Sequence, residues 1–326
     1  MYAKSAVLLL WFFASYALLV FAATTWLHGA LLALSLALAM GGVAFAVQHD
    51  GNHGAYSRHR AINRVAGMTL DLLGGSSYVW QWKHNIAHHT YTSLHGADSD
   101  IDVPFGRLSP AQPRGGMHRF QHVYLWLVYG LLVAHWHLCE DFKQLATGRI
   151  AGTRFPRPRG WSLVELIGGK IAFFTWAFAI PMLFHAWWVV LLFYAATSVV
   201  LSLLLALIFQ LAHSVEEAAL PGPLPGSNDV PRPWAVHQVE ATVDFARGNR
   251  WLSWYVGGLN FQIEHHLFPR ICHVHYPRIA SIVQATCAEL GVRYSAHESL
   301  LSAVRSHWRW LRRLGRLPLA EPTARA

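Results

Sequence analysis

Four long apolar stretches constrain the fold of this chain more than any other feature of its sequence. They cover residues 6–27, 30–47, 164–184 and 187–209, and each is close to the roughly 20 helical residues that cross a bilayer. The members of each pair are separated only by His28 and Gly29 in the first case, and by His185 and Ala186 in the second. We therefore expect an all-α membrane protein with four transmembrane helices in two hairpins.

The composition agrees with a membrane protein and excludes several other classes. Charged residues make up 13% of the chain, whereas soluble domains contain about 25%. This shortage argues against a soluble enzyme, and also against a nucleic-acid partner despite the formal net charge of +9. Three cysteines do not suggest a disulfide framework. We expect residues 1–326 to form a single membrane domain.

The basic residues predict the orientation of the chain. All 26 Lys and Arg lie outside the two hairpin turns, and the positive-inside rule places them in the cytoplasm. Residues 48–163 and 210–304 would then form a cytoplasmic helical cap, and residues 305–326 a basic tail attracted to anionic lipids. The apolar segment 124–138 is short and contains two histidines, so we expect an interfacial or buried amphipathic helix. The proline-rich segment 221–233 predicts a loop.

Histidine, with 21 residues, is the informative excess. Three clusters and one single residue stand out: His49 and His53; His84, His88 and His89; Gln262, His265 and His266; and His213 just past the fourth apolar stretch. Residues three or four positions apart share one helix face, so each cluster can aim its side chains at one point, with His89 about 100° further round than His88. All the clusters fall on the predicted cytoplasmic side.

Imidazole is a suitable ligand for iron, zinc, copper and nickel. Eight histidines and one amide exceed the four ligands of a zinc site, so two metals of higher coordination fit better. Asp98, Asp100 and Asp102 are expected to orient ligand rings or to pair with arginines rather than to bind metal directly. Asp244 and Glu264 are further candidates for a supporting position, without an assigned role. We expect supporting or packing roles for His95, His135, His137, His237, His273 and His275. Interfacial or solvated positions are expected for His28, His59, His118, His122, His185, His297 and His307.

These residues resemble the three histidine boxes of the membrane fatty acid desaturases. The first box, H-x-x-x-H, runs from His49 to His53, and the second, H-x-x-x-H-H, from His84 to His89. The third, Q-x-x-H-H, runs from Gln262 to His266 and is similar to that of the front-end and bacterial linoleoyl-type branch. The resemblance extends from about residue 30 to residue 294.

The resemblance implies four spans below a cytoplasmic cap that holds two iron ions. The implied ligands are His49, His53, His84, His88, His89, His213, Gln262, His265 and His266. It also implies an O2-dependent desaturase that introduces a cis double bond into an acyl chain carried by CoA, a carrier protein or a lipid. The expected location is a bacterial inner membrane, with both termini and the metal site cytoplasmic. Aromatic side chains near the boxes are candidates for the acyl tunnel: Trp80, Trp82, Trp254 and Phe261.

The electron donor is expected to be a separate protein. Many front-end relatives carry a fused cytochrome b5 domain with a His-Pro-Gly-Gly motif, which does not occur in this sequence. A ferredoxin or a free cytochrome b5 would then supply the electrons.

Two alternative functions stay open at this point. Hydroxylation or alkyne formation could use the same two-iron site on an acyl chain. A non-catalytic membrane protein that binds or transports metal is the alternative from another class. Transporters place polar ligands near the bilayer midplane, whereas these apolar stretches contain few polar groups. A metalloprotease is disfavoured because no H-E-x-x-H motif is present.

Overall fold

The computed structural model describes residues 1–150, 152–219 and 232–318. Its α-helices are α1 (Tyr2–Phe21), α2 (Trp26–Val43), α3 (His49–His53), α4 (Arg60–Gly67), α5 (Thr69–Leu72), α6 (Ser77–Trp80), α7 (Gln121–Tyr129), α8 (Leu132–His135), α9 (Asp141–Thr147), α10 (Trp161–Phe174), α11 (Ile180–Met182), α12 (Trp187–His213), α13 (Trp234–Ala241), α14 (Arg250–Tyr255), α15 (Gln262–Leu267), α16 (Tyr276–Glu289) and α17 (Leu300–Leu314). The predicted loop 221–233 lies outside the described residues except for its last two.

Shorter elements connect these helices. The π-helical segments are Ala44–Gln48, Gln81–His88, Trp136–Glu140 and Thr175–Ala179, and the 3-10 turns are Ser99–Ile101, Gly116–Phe120 and His273–His275. Two pairs of two-residue strands are present: β1 (Arg149–Ile150) with β2 (Thr153–Arg154), antiparallel, and β3 (Asp244–Phe245) with β4 (Ala296–His297), parallel.

Among the described residues, four helical stretches are long and apolar enough to cross a membrane: Tyr2–Phe21, Trp26–His53, Trp161–Met182 and Trp187–His213. The predicted fold class is confirmed. The first turn, however, lies earlier than expected, because Thr25 caps α2 by accepting a hydrogen bond from the backbone N–H of His28. The prediction that His28 and Gly29 form the link is therefore wrong, since both lie in the first turn of α2.

The second and fourth spans extend beyond their apolar stretches at the end that carries the histidines, which is called the inner end below. α2 continues through Ala44–Gln48 into α3, so that one helical stretch reaches His53. α12 ends at His213, which we expected to find beyond the span. Each of these two spans therefore carries histidine directly at its inner end.

α2 occupies the centre of the bundle, where it packs against α1 and α12. Two glycines make this close approach possible. A Cβ atom on Gly41 would lie 2.5 Å from Leu204 Cδ2 of α12, and one on Gly42 would lie 2.6 Å from Leu8 Cδ2 of α1. Small residues serve the same purpose in other membrane helix pairs.

An apolar cavity of about 260 Å³ lies between the four spans. Thr25 and Trp26 line it near the outer turns, and Met40 and Leu201 line it deeper in the bundle. Met40 precedes His49 by nine residues, which corresponds to about 13 Å along a helix. The cavity therefore occupies the outer part of the bundle, away from the histidine clusters.

The segment that contains α7 and α8 lies along the body of the protein. Its exposed side carries an apolar stripe formed by Phe120, Val123, Leu127 and Leu131, while Leu125 and Tyr129 are buried on the opposite side. A helix with one exposed apolar side is typical of a membrane interface, which agrees with the predicted amphipathic helix.

Lys170 ties the third span to the cap. It is 6% exposed, and its Nζ donates to Asp141 Oδ2 and to the backbone oxygen of Gly74, both at 2.7 Å. Burial of a charge is tolerated when it is paired and hydrogen-bonded. The pair holds α9 against α10.

Candidate metal centre

His49 and His53 of the first box lie at the inner end of the second span. They are one helical turn apart in α3, and their ring centroids are 4.7 Å apart. Gly54 ends α3 with a φ of 72°, in the left-handed region that glycine enters without strain. The chain turns away after His53 and leaves both imidazoles buried.

The second box lies on and directly after the π-helical segment Gln81–His88, and this geometry changes which residues meet. In an α-helix His89 would lie about 140° round the axis from His84. A π-helix pairs residues five positions apart, and here the Nε2 atoms of His84 and His89 face each other at 3.2 Å. The rings of His84 and His88 stack with centroids 5.1 Å apart. All three imidazoles therefore point into one region.

The third box occupies α15, in which Gln262, His265 and His266 are all buried. The His266 ring lies next to His213, the last residue of α12, with centroids 4.9 Å apart. His213 also lies 4.8 Å from the His88 ring. The histidines of the boxes and His213, at the end of the fourth span, thus meet in the same interior space.

The eight histidines converge in two adjacent groups. The ligand atoms within each group lie within 4.8 Å of one another; the first group is His49, His53, His84 and His265, and the second is His88, His213 and His266. His89 lies between the groups, with its ring 4.7 Å from that of His265 and 4.3 Å from that of His266. The structure therefore brings together every histidine that the sequence predicted as a ligand.

Several buried atoms of these groups have no hydrogen-bond partner within the part of the chain that the structure describes. They are His53 Nε2, His88 Nε2, His89 Nδ1, His213 Nδ1, His265 Nε2, His266 Nε2 and Gln262 Oε1. Buried polar atoms are nearly always paired. A neutral imidazole nitrogen without hydrogen offers a lone pair, so this arrangement fits a metal centre.

Other side chains orient the rings from behind. Asp98 Oδ2 lies 2.9 Å from His88 Nδ1, Gln238 Oε1 lies 2.8 Å from His266 Nδ1, and the Tyr276 hydroxyl lies 3.2 Å from His265 Nδ1. Such partners select the tautomer and leave Nε2 for a metal. The prediction that Asp98 orients a ring is confirmed. Gln238 and Tyr276 are distant in sequence from their histidines, and no local pattern marked them.

Asp50, inside the first box, has a supporting role that the sequence analysis missed. Its Oδ2 lies 2.9 Å from Nδ1 of His273, whose Nε2 lies 2.9 Å from Lys4 Nζ. Its Oδ1 lies 4.0 Å from Nδ1 of His49. These contacts join the start of α1, the first box and the segment after the third box. An acid directly beside a candidate ligand was the signal that could have identified it.

The electrostatics of the site favour neutral ligands. Burial, reinforced by the neighbouring imidazoles, lowers the pKa of four histidines outside the spans: His84, His89, His265 and His266. His88 differs: burial lowers its pKa, but the carboxylates of Asp98 and Asp100 outweigh that effect and raise the pKa. The neutral imidazole is the form that binds metal.

Asp244 and Glu264, considered as supporting acids without an assigned role, both hydrogen-bond to Tyr294. The Tyr294 hydroxyl lies 2.6 Å from Asp244 Oδ2 and 3.0 Å from Glu264 Oε1. Burial, and then the Asp244 carboxylate, raise the pKa of Glu264 to about 9. The Tyr294 hydroxyl has one hydrogen, which serves only one of these two hydrogen bonds. Neutral Glu264 supplies the hydrogen for the other bond. This pair braces α15 from behind.

Two histidines are buried away from the clusters. His137 has a packing role, one of the two that were expected: it lies against the Phe173 ring, with centroids 4.4 Å apart, and its Nδ1 lies 3.2 Å from the Tyr194 hydroxyl. His307 is fully buried rather than solvated, because α17 packs against the end of α12. Its Nδ1 donates to the backbone oxygen of Ser214 at 2.6 Å.

The remaining candidates near the boxes divide between support and surface. His237 Nε2 donates to the backbone oxygen of Thr92 at 3.0 Å, and the Thr92 hydroxyl lies 3.3 Å from His266. Trp80 stacks on His84 with centroids 4.2 Å apart, whereas Trp254 is 42% exposed. His95 lies near the surface beside Asp102, and His135 lies at the surface beside Glu140. His275 is also exposed.

The chain matches a known protein family over most of its length. A family model described as fatty acid desaturase matches residues 24–298. The chain belongs to the fatty acid desaturase family. It is 36% identical over 318 residues to an sn-1 linoleoyl-lipid 6-desaturase of Synechocystis sp., which covers 97% of this chain and 89% of that protein.

Two further relatives are similar over most of the chain. An sn-1 linoleoyl-lipid 6-desaturase of Arthrospira platensis is 35% identical, over 96% of this chain and 85% of its own length. An acyl-lipid (8-3)-desaturase of Physcomitrium patens is 37% identical, over 96% of this chain and 66% of its own. The protein is therefore a fatty acyl desaturase, an oxidoreductase of lipid metabolism, and its buried histidine cluster fits a metal centre.

Proposed function

We propose that this desaturase uses two iron ions and O2 to introduce a cis double bond into an acyl chain carried by a membrane lipid. The observation that carries the proposal is the presence of two adjacent histidine groups whose inward nitrogen atoms lack partners within the described residues. A single tetrahedral zinc would use only about half of these ligands.

The two groups suggest how the ligands divide. His49, His53, His84 and His265 would hold one iron, and His88, His213 and His266 the other. His89 lies between them, and Gln262 Oε1 supplies a further oxygen. When bound, the iron pair supplies the oxidising power that is needed to remove hydrogen from an unactivated methylene pair.

The residues of the chain hold and shield these ligands. The eight imidazoles are between 0% and 8% exposed, so bulk water is kept from the reacting centre. Asp98, Gln238 and Tyr276 fix the rings that they contact, which prevents rotation away from the metal. The uncharged imidazoles would bring no negative charge to offset that of the metals.

The acyl carrier is argued from the relatives and from the membrane bundle. The relatives named above are acyl-lipid or linoleoyl-lipid desaturases, and the metal centre lies at the inner ends of the spans. A lipid in the cytoplasmic leaflet can present its acyl chain there without leaving the membrane. The positive-inside rule supports a cytoplasmic metal centre, and we propose a bacterial inner membrane as its location.

The electron balance requires a second protein. O2 takes up four electrons when it is reduced to two molecules of water. Two of these electrons leave the acyl chain with its two hydrogen atoms, and two come, with two protons, from a donor such as a ferredoxin or a cytochrome b5.

Lipid analysis of a host that expresses the protein tests the proposal. We expect a new cis double bond in glycerolipid-bound acyl chains, dependent on O2, and about two irons per purified chain. The His265→Ala variant, produced at the same level, is the control and should form no product. Products found only on acyl-CoA would contradict the proposed carrier, a hydroxylated or alkynyl chain would contradict the reaction, and zinc in place of iron would contradict the cofactor.

A further inference from the structure

We propose that the exposed arginine face of α17 is the docking site for the electron donor, an acidic protein that carries one electron at a time. The arginine face is defined as Arg305, Arg309, Arg312 and Arg313 of α17 together with Arg316 just after its end, all of which are exposed. The inference rests on the proposed function, because only an enzyme that receives electrons from a separate protein needs such a surface.

The charge of this face is largely uncompensated. Arg309 pairs with Glu216 at 2.7 Å, but the other four arginines form no ion pair with any acid that the structure describes. The positive potential extends to α7, where burial and then the charges of Arg312 and Arg316 lower the pKa of His122. A concentrated positive face attracts an acidic partner and accelerates its association.

The arginine face is also held in a fixed position. Arg107 is fully buried and donates to the backbone oxygens of Leu314, Leu317 and Pro318 at 2.7, 2.6 and 3.0 Å. These contacts satisfy carbonyl groups that a helix end leaves free. A surface that is already ordered loses less conformational entropy when a partner binds.

A short bonded route leads from this helix to the metal centre. His307 lies on the inner side of α17 and donates to the backbone oxygen of Ser214 at 2.6 Å. Ser214 directly follows His213 in the chain. Trp308, next to His307, is 37% exposed at the surface. His307, on the inner side of the helix that carries the arginine face, is thus connected to His213 by one hydrogen bond and one peptide link.

An anionic bilayer surface is the competing partner for a basic helix. The apolar stripe of α7 marks the side of that helix that faces lipid. His122 contacts Trp308 of α17, with ring centroids 5.1 Å apart, and lies about 100° from Val123 and about 140° from Leu127 around α7. α17 therefore packs on a different side of α7 from the stripe, which favours a protein partner in the cytoplasm.

The test measures donor binding directly. The full chain is placed in nanodiscs of phosphatidylcholine, and the probe is an acidic plant-type [2Fe–2S] ferredoxin. The triple variant Arg305→Glu, Arg312→Glu and Arg316→Glu should raise the dissociation constant at least about tenfold, and native binding should weaken with added salt. A matched charge control is the triple variant Arg270→Glu, Arg278→Glu and Arg293→Glu at other exposed positions of the cap, which should change binding less than about twofold.

Three outcomes would overturn the proposal. The first triple variant could bind ferredoxin with an unchanged dissociation constant, or the control variant could lose as much ferredoxin affinity as the first. In the third outcome, phosphatidylglycerol added to the nanodiscs stabilises the native protein but not the first variant, while ferredoxin binding is the same in both. Iron content and lipid products are measured in the same preparations. Iron-dependent desaturation with unaltered ferredoxin binding in the variant refutes the docking site alone. Specific docking without iron or product refutes the proposed reaction alone.

Discussion

The two ends of the four-helix bundle are built from the same helices and differ sharply in chemistry. At the inner end, α2 leads into α3 and α12 ends at His213, and the histidines there are enclosed by α15 and the second box. At the outer end, the same helices line an apolar cavity of about 260 Å³. Among the described residues, the groups that could hold a metal all lie outside that cavity.

This difference shows where a membrane protein can place polar ligands. A charged or metal-binding group is costly within the hydrocarbon region, but the cost falls where a protein cap supplies hydrogen-bond partners such as Asp98 and Gln238. α2 and α12 therefore lead to candidate ligands only where the cap covers them. Substitutions at the inner end should then affect chemistry, and those at the outer end should affect little.

The largest effect is expected from loss of a ligand. His88→Ala and His265→Ala should each reduce desaturation by more than about a hundredfold, because even residues behind the ligands contribute ten- to a hundredfold. Iron content should fall while membrane insertion persists, since the four spans are unchanged. Product analysis and metal analysis of the purified variants measure both effects. Full activity in both variants would contradict the ligand assignment.

Removal of a ring-orienting carboxylate should have a smaller effect. Asp98→Asn replaces the acid that lies 2.9 Å from His88 Nδ1, and such changes reduce metal affinity or activity by about ten- to a hundredfold. The matched control is Asp102→Asn, whose side chain is 46% exposed and lies 3.8 Å from His95. Iron titration of both variants should separate them; equal affinities would show that Asp98 does not orient the ring.

Acid should destabilise the metal-free protein. The pKa values of His84, His89, His265 and His266 are lowered in the folded state, so the unfolded chain binds more protons once the pH falls below about 6.5. The contribution of these four rings should be constant above that pH and decrease below it, whereas the raised pKa of Glu264, about 9, makes stability decrease as the pH rises. Thermal unfolding of metal-free protein between pH 5 and pH 8 measures this dependence. A midpoint that rises as the pH falls from about 6.5 to 5 would contradict the neutral state of these rings.

The smallest effect is expected at the outer end. His28 is exposed in the first turn of α2, and the Thr25 cap uses its backbone rather than its side chain. His28→Ala should change the free energy of unfolding by less than about 0.5 kcal/mol and leave desaturation intact. Thermal unfolding and product analysis provide the check, and a loss of iron in this variant would remove the contrast between the two ends.

Much of the site could be predicted because its residues follow local rules. Apolar length predicts spans, and three boxes at helical spacing predict converging ligands, as His49 and His53 show. Local rules fail where distant segments meet. His307 was expected in solvent because nothing near it in sequence indicates that α17 packs on α12. For His137 the sequence left a supporting and a packing role open, and only the tertiary structure shows that its side chain packs against Phe173.

The sequence by itself determined the four spans, the membrane class and the identity of the clustered histidines, because hydropathy and residue spacing act over one or two helical turns. Only the tertiary structure decided how those histidines divide into two groups. It also showed that a π-helical segment brings His84 and His89 together, and that Asp98, Gln238 and Tyr276 orient the rings. These features depend on contacts between segments far apart in the chain, which local pattern cannot encode.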